Sequence, residues 1–185
     1  APAADRPPDP LDPLASPVDG LVTNTPGLAL TIYYADCIPV LLYDPVGKAI
    51  AAVHSGWRGT SLGIAPKAVA KMTALYGTRP EDVLAAIGPG IGPCCFETHD
   101  DVPTALEDRL GPAVRPFCHP LEQAAGKFTV DLKGIIAWEL RQAGLAEEHI
   151  DTLPLCTACH PELYWSHRKM GDQRGNHAAM IALEG

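Results

Sequence analysis

Between residues 28 and 54 the apolar positions fall in three short runs, 28–34, 38–43 and 50–54, rich in β-branched and aromatic residues. Such runs predict strands. The last two are joined by Asp44-Pro45-Val46-Gly47-Lys48. Proline presets the first central φ of a turn, and Gly47 is placed for a left-handed bulge position, so the spacing predicts a hairpin. The rhythm then changes. Leu62, Ile64, Ala65, Ala68, Val69, Met72 and Leu75 follow a 3.6-residue period, with Thr60 or Ser61 as cap and Gly77 as stop, which predicts a helix. Residues 83–87 read as a short buried strand running into Gly88-Pro89-Gly90-Ile91-Gly92-Pro93. Helical spacing returns over 101–110 and over 131–143, where Gly144 ends it, and 150–155 and 178–183 read as closing strands. Helices and strands mix without a strict βαβ rhythm and without a repeat. The expected class is α+β (mixed α/β), with mixed sheets flanked by helices.

The first nineteen residues stand apart. Pro2, Pro7, Pro8, Pro10, Pro13 and Pro17 lie among aspartates, so 1–19 is expected to be a proline-rich acidic arm or linker, and 20–185 a single catalytic domain. With 46% hydrophobic and 19% charged residues the chain is too apolar to stay unfolded. The net charge of −8 argues against nucleic acid polymers and anionic membranes as partners. A small anion is still allowed, because a few converging arginines override the global field locally. The longest apolar run, 27–43, is interrupted by Asp36, so no membrane span is expected. Six cysteines are too few for a disulfide scaffold, and the absence of a basic-then-apolar leader makes the cytoplasm the expected compartment. The chain opens at Ala1 rather than at Met, which leaves room for an N-terminal segment before it.

Cys37 and His54 flank the predicted hairpin. A ladder closed at Asp44 and Lys48 leaves them one residue from being cross-strand partners, which would lie about 5 Å apart at Cβ. Pro39 cannot donate to a ladder and is a natural place for a bulge that supplies the missing residue. The spacing permits a shared site, although a buried cysteine is commonly a small apolar residue and a strand histidine commonly a hydrogen-bonded core group. The neighbours favour chemistry. Asp36 interrupts an apolar strand, where an unpaired carboxylate is costly. His54 runs into Ser55-Gly56-Trp57-Arg58-Gly59 and a helix start, an arrangement suited to an anion. The plain alternatives are a surface ion pair for Arg58 and core packing for Trp57. Arg168, Lys169 and Arg174 form a basic cluster, either a solvated face or a phosphate site shared with Arg58.

Other motifs are weaker. Cys156-Thr157-Ala158-Cys159-His160 spells a haem-attachment or redox pattern, yet neither an exported chain nor a thioredoxin-like unit surrounds it. Cys94 and Cys95 are adjacent, fall on alternate sides if extended, and are expected to play a structural part rather than to chelate one ion together. The glycine run at 88–92 is not the dinucleotide fingerprint. Seven histidines without a His-x-His pair under-equip the chain for a multicopper centre.

Taken together, several segments resemble the YfiH-like laccase-domain family. They are Tyr34-Ala35-Asp36-Cys37-Ile38-Pro39-Val40, His54-Ser55-Gly56-Trp57-Arg58-Gly59, the stretch from Ile87 to Glu97, Asp131-Leu132, Cys156-Thr157, and Trp165-Ser166-His167-Arg168-Lys169. They run in the family's order from about Asp19 onward. The resemblance implies a layered α/β/β/α sandwich. It also implies a mononuclear metal, usually zinc with copper as the alternative, held by two histidines and one cysteine. By motif position Cys37 and His54 are two of those ligands. The third, a histidine of a Gln-Val-His-Gly motif, is expected upstream of Ala1. The implied activity is purine nucleoside phosphorolysis of adenosine, inosine and methylthioadenosine, with adenosine deamination beside it. Cys37, His54 and Arg58 are then catalytic, and Arg58, Arg168 and Arg174 bind phosphate. Copper-dependent polyphenol oxidation, a metal-free Cys37/His54 thiol hydrolase and peptidoglycan editing are the other activities the resemblance brings. Zinc with an open fourth position suits hydrolytic or phosphorolytic work better than electron transfer.

Overall fold

A computed structural model of the chain describes residues 18–185; the arm over 1–17 lies outside the described residues. The predicted hairpin forms from β3 (Ile38–Asp44) and β4 (Ala49–Ser55). Its turn differs in detail from the expected one. The Asp44 carboxylate accepts the amides of Val46 at 2.9 Å and Gly47 at 2.8 Å. The left-handed residue is then Lys48, at φ 53°, and not Gly47. Four residues in the turn shift the ladder, so that Ile38 faces Ser55 and Pro39 faces His54 without a bulge. Cys37 lies outside the ladder, further from His54's rung than the spacing predicted.

Strand β1 (Gly20–Thr23) pairs with the outer edge of β4, and β5 (Leu84–Ile87) runs antiparallel to β3. A parallel strand, β9 (Ile150–Thr152), completes a five-stranded sheet of order β1-β4-β3-β5-β9. The residues at 28–34 do give a strand, β2 (Leu30–Tyr34), but it pairs with β10 (His177–Ile181) in a separate two-stranded sheet.

Alternation sorts the core. Ile38, Val40 and Leu42 of β3 and Ala49, Ala51 and Val53 of β4 pack with the helices on one face. Ile50 and Ala52 point the other way, against Leu30, Ile32 and Leu183 beside the two-stranded sheet. The hairpin strands are buried on both faces, which is why they read as continuous apolar runs. The helical face is covered by Ala65, Val69 and Met72 of α2 (Ile64–Tyr76), and by Ile135, Ile136 and Leu140 of α4 (Leu132–Gln142). Each fully buried aliphatic side chain stabilises by roughly 1.5–3 kcal/mol.

The single helix expected after residue 60 is two. A five-residue α1 (Trp57–Ser61) begins directly after β4 with Gly56 as its cap residue. Gly63, left-handed at φ 66°, then separates it from α2. Thr60 and Ser61 are therefore inside a helix rather than capping one, and their hydroxyls donate to the carbonyls of Gly56 and Arg58. Leu62 and Leu75, counted as core positions by period, are exposed. The other helices are α3 (Asp101–Leu110) and α5 (His167–Met170). A small sheet of β6 (Glu97–His99), β7 (Cys118–Pro120) and β8 (Lys127–Val130) was not foreseen; strands of three or four residues carry too little periodicity. The class is as expected, mixed α/β with several sheets flanked by helices.

Candidate active site

The chain bends between β2 and β3, and Asp36 stands in that bend at φ 78°. A non-glycine residue in the left-handed region needs outside support. Here the support is visible. The Asp36 carboxylate, 8% exposed, accepts hydrogen bonds from Thr157 Oγ1 at 2.6 Å, Ser166 Oγ at 3.0 Å and the Arg168 amide at 2.6 Å. Its carbonyl accepts the Ile91 amide at 2.8 Å. Asp36 thus fastens the 156–168 segment to the start of β3 and presents Cys37 to a cleft. The Cys37 thiol rests against Gly56, where an added Cβ would come within 3.0 Å of Sγ. Gly56 is needed for that approach.

His54 lies one residue before the end of β4. Its amide donates to the Asp19 carbonyl at 2.7 Å, and its Nδ1 meets the Asp19 carboxylate at 2.9 Å. Asp19 accepts from Nδ1, so in the neutral ring Nε2 carries the lone pair that a metal or a base uses. The His54 pKa is raised to about 9. The neighbouring Cys37 thiol is the largest cause; burial opposes it, and Asp19 adds to the rise. Cys37 and His54 are therefore neighbours, although they share no rung. What brings them together is the left-handed turn at Asp36.

The pair lines a cleft of about 370 Å³, together with Asp19, Trp57, Arg58, Phe96, His167, Arg168 and Arg174. That volume lies at the small end of the range for ligand pockets, ~300–1,000 Å³. All five residues singled out from sequence, Cys37, His54, Arg58, Arg168 and Arg174, border this one space. The arginines are not equivalent. Arg168 donates through one nitrogen to the carbonyls of Cys95 and Glu97 at 3.0 and 2.9 Å. Arg174 engages His167 Nδ1, the Gly175 carbonyl and the Asn176 side chain. The Arg58 guanidinium lies over the Trp57 ring at 4.3 Å and has no hydrogen-bond or ion-pair partner among the described residues. Its donors are the ones open to an anion.

Asp19 was missed from sequence because it closes an arm that reads as linker. The available signal was its position directly before Gly20, where β1 begins beside β4. Cys94 and Cys95 also differ from expectation. The chain from Gly92 to Phe96 curls, with the amides of Cys95 and Phe96 both donating to the Gly92 carbonyl. The alternate-side argument for an extended pair then no longer applies. Both thiols turn toward Cys159, each at 3.5 Å, and Cys156 joins them. The four sulfurs lie within 4.8 Å of one another.

A mixed-sheet domain with this cleft falls in the class of laccase-domain proteins. The chain belongs to the family described as multi-copper polyphenol oxidoreductase laccase, whose model matches residues 3–184. It is 37% identical over 169 residues to the mouse protein named purine nucleoside phosphorylase LACC1, covering 89% of this chain and 38% of that protein. It is also 37% identical over 175 residues to purine nucleoside phosphorylase YlmD of Geobacillus stearothermophilus, covering 91% and 60%. Among solved structures it resembles the Bacillus licheniformis hypothetical protein YfiH, with a TM-score of 0.85 at 34% identity, over 90% of this chain and 61% of that one. The chain thus spans about two-fifths to three-fifths of the length of these relatives. No helix among the described residues is long and apolar enough to cross a membrane.

Proposed function

We propose that the protein is a purine nucleoside phosphorylase whose reaction takes place in the cleft between Cys37, His54 and Arg58. The supporting observation is the convergence of a thiol, an Asp19-oriented imidazole and an unpartnered guanidinium in one space of nucleoside scale. The relatives that bear this activity in their names are similar over nine-tenths of the chain.

The donor set fits one soft-to-borderline metal ion, zinc first and copper second. Cys37 and His54 would hold it, and a histidine from a segment before Ala1 would be the third ligand. When bound, the ion supplies a Lewis acid beside the substrate. Among the described residues, three or more ligand-type side chains gather at the four cysteines, a set that shares no residue with the Cys37–His54 pair.

Asp19 holds the imidazole in one tautomer. Arg58 receives inorganic phosphate, with Arg168 and Arg174 lining the same wall. A phosphate oxygen attacks C1′ of the ribose, and the bond from C1′ to the base nitrogen breaks. The base leaves with the bonding pair and takes up one proton, giving a pentose 1-phosphate and free purine. Adenosine deamination at the same site would be independent of phosphate: water adds at C6 and ammonia leaves. The closeness of Cys37 to His54 also suits a metal-free thiol nucleophile.

The test is incubation of the full-length protein with adenosine or inosine, with and without inorganic phosphate and a chelator, followed by chromatography. Phosphate-dependent release of purine base that a chelator abolishes supports the proposal. Base release unaffected by chelator but lost in Cys37→Ala would favour the thiol mechanism. No phosphate-dependent base release would overturn the assignment.

A further inference from the structure

Apart from the cleft, the most concentrated chemistry in the molecule is the cluster of Cys94, Cys95, Cys156 and Cys159. We propose that these four thiolates bind one structural zinc ion, separate from the Cys37–His54 site.

The sulfur spacing fits the size of a tetrahedral site. A zinc–sulfur bond of about 2.3 Å in a tetrahedron places the sulfurs ~3.8 Å apart. Here Cys94 and Cys95 each stand 3.5 Å from Cys159, and the four sulfurs lie within 4.8 Å of one another. A disulfide would draw two sulfurs to about 2.05 Å and leave the other two without a purpose. A divalent ion uses all four. Cys156 and Cys159 have the two-residue spacing of a zinc knuckle, and the Cys159 amide donates to the Cys156 carbonyl at 3.2 Å. Cys94 and Cys95 can serve the same ion because their loop curls around Gly92.

One of the four sulfurs, Cys156 Sγ, has a backbone donor of its own. The Gly92 amide donates to Cys156 Sγ at 3.2 Å, a supporting hydrogen bond of the kind that steadies metal ligands. An added Cβ at Gly92 would stand 3.2 Å from the Cys156 Cβ and 3.4 Å from Cys94 Sγ, so glycine allows the loops to close on the cluster. Four thiolates around a divalent ion leave a net charge of two negatives. Lys133, 4% exposed, donates to the carbonyls of Leu153 and Leu155 at 2.9 and 2.7 Å; burial lowers its pKa, and negative charge on Cys156 and Cys94 opposes that lowering. A buried ammonium in that position offsets part of the charge. Cys94 and Cys159 are themselves exposed, and exposed free thiols are open to oxidation unless they are engaged.

The ion would staple two loops distant in sequence, 88–96 and 153–160. Both reach the cleft. The Cys95 carbonyl receives the Arg168 guanidinium, and Thr157 holds Asp36. The proposed zinc therefore positions the cleft wall without touching substrate.

The experiment is metal analysis and X-ray absorption on the full-length protein and two variants, a Cys94→Ser/Cys159→Ser double change and Cys37→Ala. The expected result is a four-sulfur zinc shell in Cys37→Ala, where the cleft site has lost its thiolate, with the double variant losing one zinc equivalent per chain. Cobalt substitution of the wild-type protein should give the intense bands of a four-thiolate tetrahedral centre, a readout that does not depend on the double variant folding. An intact mass lower by two hydrogens with no four-sulfur zinc shell would show a disulfide and overturn the proposal. Unchanged zinc content in a folded double variant would overturn it equally. Iron in the four-sulfur shell would keep the site and overturn the choice of ion.

Discussion

Asp19 grips His54 twice, through its carbonyl on the histidine amide at 2.7 Å and through its carboxylate on Nδ1 at 2.9 Å. The first bond extends the pairing of β1 with β4 by a residue, and the second sets the tautomer. Loss of an outer partner of this kind typically weakens metal binding about 10- to 100-fold. Asp19→Asn is therefore expected to reduce zinc affinity at the Cys37–His54 site by that factor. Competition against a chromophoric chelator measures it, and unchanged affinity would contradict the role given to Asp19.

His54 also offers a pH signature in metal-free protein. Its pKa of about 9 comes first from Cys37, against the opposing effect of burial, and then from Asp19. Cys37→Ala should bring it down toward the ordinary value of roughly 6.5. In the wild type the stability that His54 contributes is fully present below that ordinary value. It fades as pH rises through about 9. Imidazole proton shifts followed by NMR across this range decide the matter.

Glu139 predicts a second, independent pH effect. Both of its carboxylate oxygens are buried without a partner among the described residues, and burial pushes its pKa up to about 8. The folded state therefore binds a proton that the unfolded chain has released, and stability falls as pH rises from about 4.5 to about 8. Glu139→Gln removes this component. Relative to wild type it should gain a few kcal/mol above pH 8 and almost nothing near pH 4.5, as read from urea unfolding at the two extremes.

Asp36 carries more of the architecture than any other carboxylate described. Asp36→Ala would strand the Thr157 and Ser166 hydroxyls, both fully buried, and the Arg168 amide. Each stranded donor costs about 1–3 kcal/mol. A loss of roughly 3 kcal/mol or more in unfolding free energy is expected. A change under 1 kcal/mol would show that the turn at Asp36 does not depend on these bonds.

The strands and helices with strong periodicity were legible in the sequence: the 38–55 hairpin, α3 and α4. Their side chains are sorted by burial alone, and burial leaves a pattern. Register was not legible. Whether Gly47 or Lys48 takes the left-handed position shifts the ladder by a residue, and the choice rests on the Asp44 carboxylate capping two amides. The candidate site was legible as a set of residue types near two motifs. Its assembly was not, because it depends on contacts such as Asp36 with Thr157 and Ser166, more than a hundred residues away. The four-cysteine cluster was invisible for the same reason, since adjacent cysteines can share an ion only in a curled loop.

The proposed reaction, phosphorolysis of purine nucleosides in the Cys37–His54 cleft, can be followed through both of its products. The most direct test follows base and pentose 1-phosphate from inosine at varied phosphate, comparing the full-length wild type with folded Cys37→Ala and Arg58→Ala. Wild-type protein should show phosphate-dependent turnover, Cys37→Ala should lose it, and Arg58→Ala should have a raised KM for phosphate. Undiminished phosphorolysis by Cys37→Ala would contradict the proposed reaction site.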